Sequence, residues 1–461
     1  MSLMMALVMA VPMSVSAAEP PVTDEAGLLE AINKATDGDV ITVSGDIPCN
    51  TAVNIDDNIT ITGGSITFNT PGVNSMTIVD GAEVDLNNIK IANTDGKSVI
   101  HVYGSTLTAE NLTVVHGGST GAPILVNNGS TADFTGLNLE LGANSWYGVN
   151  VDGSEATFSG VTTNGTTGTQ SVVCAENNAD VTCPGYTVVK TNKHEGQAHE
   201  QFAYVEDSNL PAFINAKEAN DVESITLYDD VELSEALSLD EAMTVNGNGH
   251  TFVGTDAIVN DNVVTITAEG VVLDNVGIKT SSANKSALHV YKVPATLKNV
   301  TLDNTKTAGG AGLVVNSATV TVEGNLNIKV GDKSWGGINV DARYGDAGVI
   351  FADGAKVNFE TTDPTKPAMY EESQPGYTVT IDNAEGAGLV ENENGTYSPA
   401  TGEDPTDPST TPGTDTPSGD KTDATPQTGD DTNLGLMFAI MGIAAAAAAG
   451  TLVYGRRRHN N

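Results

Sequence analysis

The chain has 461 residues, enough by length for about three domains, and carries 59 Asp and Glu against 20 Lys and Arg, a formal net charge of −39. A surface this acidic repels phosphate backbones and argues against nucleic acid as a partner; it suits a soluble, cation-rich extracellular setting. Aromatic residues make up 5% of the chain while Gly numbers 49, the profile of a turn-rich all-β protein rather than a helical bundle.

At the start, residues 3–13 are apolar and Ser16-Ala17-Ala18 supplies small residues suited to signal-peptidase cleavage, so 1–18 reads as a secretory signal. It departs from the usual pattern in one respect: no Lys or Arg precedes the apolar stretch, the first being Lys34. Residues 24–35 then follow a short helical pattern with Leu28, Leu29 and Ile32 behind an acidic start.

From there the chain repeats itself. Ser145-Trp146-Tyr147-Gly148-Val149-Asn150-Val151-Asp152 returns as Ser334-Trp335-Gly336-Gly337-Ile338-Asn339-Val340-Asp341, and His101-Val102-Tyr103 returns as His289-Val290-Tyr291, at offsets of 189 and 188 residues. Two tandem copies follow, at 22–204 and 205–398, the second opening on a helical pattern at 210–219 with Phe213 and Ile214. Inside copy one a shorter period runs through Gly81, Gly104, Gly129 and Gly153, at spacings of 23, 25 and 24. Alternation such as Val84, Leu86 or Leu107, Ala109 is the period-2 signal of half-buried strands. A short apolar pattern recurring once per unit means a solenoid. With Gly and Asn at the corners, where left-handed backbone is needed, it predicts a right-handed parallel β-helix in each copy, with a helix capping each open end.

The sequence has three cysteines, Cys49, Cys174 and Cys183. An odd count leaves at least one unpaired, and Cys174 with Cys183 is the candidate disulfide.

The best binding candidates are duplicated. Trp146 and Trp335 are the two tryptophans, each preceding one of the repeated strands. With Val149 and Val151 inward, Asn150 and Asp152 face out, as do Asn339 and Asp341. His101 with Tyr103, and His289 with Tyr291, face out about two coils away, roughly 10 Å at 4.8 Å per rung. Aromatic rings beside amides and carboxylates suit stacking on sugars; the competing role for each Trp is to pack over a turn and hold the coil.

Catalytic signals are absent by comparison. Asp56-Asp57 and Asp229-Asp230 sit in turn-like sequence, and His116-Gly117-Gly118 matches no glycosidase pattern. Arg343, the sole arginine before residue 456, has no counterpart in copy one and reads as a solvated turn residue. The histidines are scattered, with only His194 and His199 close. No metal or cofactor motif is present; Ca²⁺ on acidic turns is the one cation the chemistry favours.

After residue 398 the composition changes. Residues 399–432 are rich in Pro, Thr, Asp, Ser and Gly with few apolar residues, and read as an extended linker. At its end comes Thr425-Pro426-Gln427-Thr428-Gly429, then an apolar stretch at 434–454 long enough for one membrane-spanning helix, then a tail at 455–461 carrying Arg456, Arg457 and Arg458. The order of pentapeptide, apolar helix and arginine cluster resembles the cell-wall sorting signal of Gram-positive surface proteins, with Thr425 where that family usually has Leu. The resemblance implies cleavage by a sortase between Thr428 and Gly429, covalent attachment to peptidoglycan through Thr428, and retention by the arginines meanwhile.

The openings of the copies, Leu28-Leu29-Glu30-Ala31-Ile32 with Gly38-Asp39-Val40-Ile41-Thr42-Val43, and Val245-Asn246-Gly247-Asn248-Gly249-His250-Thr251-Phe252, are similar to pectate-lyase-like β-helix domains. Such domains occur as polysaccharide lyases and as adhesive modules on Gram-positive surfaces, and the lyases' arginine motif is missing here. The expectation is therefore a wall-anchored adhesin that binds a glycan or host-surface ligand. A wall-attached lyase or hydrolase, and a passive spacer, are the alternatives.

Overall fold

Alternating apolar residues wind the chain into a right-handed parallel β-solenoid of about 11 turns. The computed structural model describes residues 19–117, 121–142, 144–164, 170–191, 201–215 and 222–400. The expected signal segment, the linker from residue 401 on, the sorting motif, apolar span, arginine tail and the His194–His199 pair lie outside these residues, while Pro399 at the expected start of the linker ends the strand Thr396–Pro399. Among the described residues no helix is long and apolar enough to cross a membrane.

Each turn of copy one contributes a strand to three sheets. Glu83–Asn87, Thr106–Glu110, Thr131–Thr135 and Glu155–Ser159 stack in parallel on the first, and Lys90–Asn93, Thr113–His116 and Asn138–Glu140 on the second. Ile100–Tyr103, Ile124–Asn127, Tyr147–Asp152 and Ser171–Glu176 stack on the third. Inward residues fall in register, as with Val84, Leu107, Ala132 and Ala156, so each coil buries its apolar side against the next. The marker glycines turn the corners: Gly81, Gly104, Gly129 and Gly153 have φ of 82°, 60°, 71° and 54°. Asn88 and Asn111 take the same left-handed backbone at another corner, and the Asn111 amide donates to Asn88 Oδ1 at 3.0 Å.

Both ends of the solenoid are closed. Helix Glu25–Lys34 is capped by Asp24, whose Oδ1 accepts from the Gly27 amide at 2.8 Å, and it buries Leu28 and Ile32. Glu25 ties it to the first coil by accepting from the Asn50 amide and the Thr51 hydroxyl, each at 2.8 Å. At the far end the antiparallel strands Leu389–Glu391 and Thr396–Pro399 close the edge of Met369–Ser373, removing a template for edge pairing.

At the junction of the copies a hydrogen-bonded sheet runs from one into the other within one compact unit. Ser171–Glu176 pairs antiparallel with Gln201–Val205, which pairs with Thr187–Thr191, which pairs with Val222–Thr226. Two apolar cores remain distinct, one from Leu28 to Cys183 with Tyr204 packed against it, and the other from Val189 to Tyr397. The second capping helix is described over Leu210–Asn215, after a 3₁₀ turn at Asp207–Asn209, and buries Leu210, Phe213 and Ile214.

The expected disulfide does not form: Cys49, Cys174 and Cys183 are all free and buried. Cys174 lies in register with Asn150 on the outward row of the third sheet and is covered by the strand carrying Ala203. Cys183 joins the interior core of copy one instead. The wall of the coil stands between them, and burial pushes both thiols up, Cys183 to about 12.

Candidate functional site

The third sheet turns a row of polar residues outward in each copy. Its rungs place His101, Leu125, Asn150 and Cys174 in one column and Tyr103, Asn127, Asp152 and Glu176 in the next. In copy two the columns are His289, Val314, Asn339, Tyr370 and Tyr291, Asn316, Asp341, Glu372. The histidines therefore stand two rungs from the asparagines, as the sequence predicts. Both copies also make the same cross-rung bond: Asn150 donates to Glu176 at 2.7 Å and Asn339 to Glu372 at 3.0 Å.

Each histidine sits edge-on or tilted against its tyrosine, with ring centroids 5.7 Å apart for His101–Tyr103 and 5.6 Å for His289–Tyr291. His101 is held on both sides, by Asn74 at 2.9 Å and Asn127 at 2.9 Å. His289 meets Asn262 at 3.3 Å, but its buried Nε2 has no hydrogen-bond partner among the described residues. Burial pushes the His289 imidazole below its ordinary range, against the pull of Asp261 and Asp341.

Asn339 and Asp341 are not exposed as expected; 1% and 2% of their surface remains accessible. Two features cover them. The next rung lays Tyr370 and Glu372 alongside, and the corner after the strand is longer than in copy one, four residues at 343–346 against two at 153–154. That corner folds Arg343 back onto Asp341 in a fork, Nε–Oδ1 2.9 Å and Nη2–Oδ2 2.8 Å, with Glu372 at 3.2 Å. Arg343 is thus the partner of a buried carboxylate, not a solvated turn residue. Burial alone would raise Asp341, but the guanidinium holds it below the usual carboxylate range, and Asp341 in turn pushes Arg343 up. An arginine so fixed as a cation is a poor proton acceptor.

A tyrosine ring fills the same corner of both faces from different rungs. Copy one uses Tyr147 beside Cys174; copy two has Gly336 at the equivalent of Tyr147 and supplies Tyr370 from the rung beyond. A Cβ on Gly336 would stand 3.1 Å from Tyr370 Cε1, a tight contact that a larger side chain there would have to relieve by moving Tyr370. Burial raises both phenols well above their ordinary value.

Trp146 and Trp335 are 60% and 55% exposed, and the turn beneath them is also held by other groups. The Ser145 amide donates to Gly142 O at 3.0 Å and the Ser334 amide to Gly331 O at 3.1 Å; the Trp amides donate to Gly121 O at 3.0 Å and Gly310 O at 2.8 Å. Behind each turn a buried side chain grips the serine: His116 Nδ1 lies 2.6 Å from Ser145 Oγ, and Asn304 donates to Ser334 Oγ at 3.1 Å. An indole that is exposed while its backbone is clamped is a preorganised stacking surface.

His116 Nε2 donates to the Lys97 carbonyl at 2.7 Å, leaving Nδ1 to accept from Ser145. Burial lowers this imidazole's pKa, against the carbonyls of Lys97 and Gly96. A lowered folded pKa means the unfolded chain takes up the proton first. The contribution is full above the ordinary histidine pKa of about 6.5 and is lost as pH falls through it. Thermal melts from pH 7.5 to 5 should therefore decline in acid, and the decline should be shallower in His116→Asn, which reproduces copy two's Asn304; an unchanged slope would refute the assignment.

Several of these residues escape a reading of the repeated octapeptide alone. Asn127, Asn316, Glu176 and Glu372 lie on other rungs, and only aligning the chain at its 24-residue period would bring them into column. Ser145 with His116, and Ser334 with Asn304, meet across coils. Among the described residues, no group of three or more His, Cys, Asp or Glu is placed to hold a metal ion. Comparison of the sequence with known protein families and with curated proteins finds no match.

Proposed function

We propose that this chain is a cell-wall-anchored surface protein whose solenoid displays two copies of a glycan-binding face. The observation that carries the reading is the duplicated exposed tryptophan, clamped from behind by Ser145 or Ser334 and set beside the same His, Tyr, Asn, Asp and Glu columns in both copies. A solvent-exposed indole fits stacking on a flat sugar face; in copy one Asn150 and Asp152 are half-buried and can meet sugar hydroxyls, while in copy two Asn339 and Asp341 are buried and leave Trp335 and Tyr291 as the exposed groups. The full-length protein on an array of neutral and acidic glycans should retain at least one class, competed by the same soluble glycan. Retention of none would overturn the reading.

Anchoring rests on the order of Pro426-Gln427-Thr428-Gly429, the apolar stretch and the three arginines. The linker would carry the solenoid outward, at roughly 3.1 Å per residue where it is extended. Replacing Thr428 by Ala should move the protein from the wall fraction, released only by muralytic enzymes, to the membrane or medium. A Thr428→Ala protein still bound covalently to the wall would exclude sortase attachment at this site.

A further inference from the structure

The two faces differ at one corner, where the third sheet turns toward the first. Copy one turns there with Gly104-Ser105 after Tyr103 and with Gly153-Ser154 after Asp152. Copy two is longer at both rungs: residues 292–294 after Tyr291, and 343–346 after the strand Gly336–Ala342. Each extension sets a cation beside a tyrosine. Lys292 Nζ lies 4.7 Å from the centroid of the Tyr291 ring, and Arg343 adjoins Tyr344, which is 69% exposed.

Lys292 holds φ of 61°, matching Gly104 at 60°, and both donate their amide to the next rung, to Asn316 O at 3.0 Å and Asn127 O at 3.3 Å. The left-handed region is natural for glycine and rarely taken by lysine. Ser317 takes the same backbone at this corner on the next rung, with φ of 50°, so what sets Lys292 apart is its exposed cationic side chain. Its ammonium makes no ion pair among the described residues, although the chain is strongly acidic. Arg343 spends Nε and Nη2 on Asp341 and Glu372, is 46% exposed, and has no partner for Nη1 among the described residues.

From this we infer that the corner of copy two built by Tyr291, Lys292, Arg343 and Tyr344 binds an acidic polysaccharide, taking carboxylate or sulfate groups at the two cations and sugar faces at the two tyrosines. Two rungs separate the cations, roughly 10 Å along the solenoid axis, so they engage charges on separate rings of one chain. A lone small anion meets only one of them. Copy one carries the same carboxylate pair, Asp152 and Glu176, but has Gly104 and Ser154 in place of the two cations, and takes uncharged glycan. The inference deepens the glycan-binding reading and rests on it.

The test compares the full-length protein with Lys292→Gly and with Trp335→Ala on immobilised dextran sulfate, a polyuronate and uncharged dextran, with polyglutamate as a polyanion lacking sugar. Lys292→Gly places glycine where Gly104 already adopts the required backbone, so the fold is kept. It should weaken binding to dextran sulfate or the polyuronate roughly five- to tenfold, with a smaller salt dependence, and leave uncharged dextran unchanged. The response to sulfate against uronate distinguishes the two anion sources. Unaltered binding of both acidic glycans by Lys292→Gly, or equal retention of polyglutamate, would overturn the corner site. If Trp335→Ala leaves all three dextran and uronate surfaces unaffected while Lys292→Gly does not, the tryptophan face is at fault and the corner stands.

Discussion

Replacing Trp146 and Trp335 together by alanine is expected to lower glycan affinity about a hundredfold, near 3 kcal/mol, while unfolding free energy changes by no more than about 0.5 kcal/mol. The separation of the two effects follows from the geometry. An aromatic ring more than half exposed has little apolar area to lose on truncation, whereas the same ring forms most of the contact with a stacked sugar. The turn beneath is held by Ser145 with His116 and by Ser334 with Asn304, none of which touches the substitution. Titration of soluble glycan followed by surface plasmon resonance measures the first effect and urea unfolding the second. A large loss of stability would show the rings to be structural; unchanged affinity would remove them from the site.

A second large effect is expected from Phe134→Ala. Phe134 and Phe158 are register partners on adjacent coils, 2% and 1% exposed, with rings stacked at 5.0 Å and 12°. Emptying one ring's volume in a close-packed interior costs about 3–5 kcal/mol. In a solenoid each coil contacts only its neighbours, so the loss stays local. Because copy one and copy two keep separate apolar cores, calorimetry should resolve an early transition for copy one and a later one at the wild-type temperature for copy two. A single transition shifted as a whole would show that the antiparallel strands at the junction make the copies one cooperative unit.

The solenoid was largely legible in the sequence because its signals are local. Val84, Leu86, Leu107 and Ala109 alternate within a strand, and glycines 23 to 25 residues apart mark corners that need positive φ. Asp24 and the apolar spacing behind it announced the first helix for the same reason. The junction was not legible: antiparallel strands use the same alternation as parallel ones, so no local pattern sets Thr187–Thr191 and Gln201–Val205 apart from a further coil. The cysteines misled because nine residues of separation says nothing about which side of a sheet each thiol occupies.

The sequence by itself determined the coil, its period, its duplication and the pair of tryptophans, because each depends on residues at fixed short spacings. It also predicted the outward direction of His101, Tyr103, Asn150 and Asp152. The tertiary structure alone decided what those residues meet. Asn339 and Asp341 became buried because a longer corner returns Arg343 over them, and the tryptophans stayed exposed because buried His116 and Asn304 hold their turns from adjacent coils. In a solenoid the neighbour that matters lies one rung away, about 24 residues along the chain. Contacts at that range depend on register and corner length, which the winding of the coil sets and a local pattern of residues does not encode.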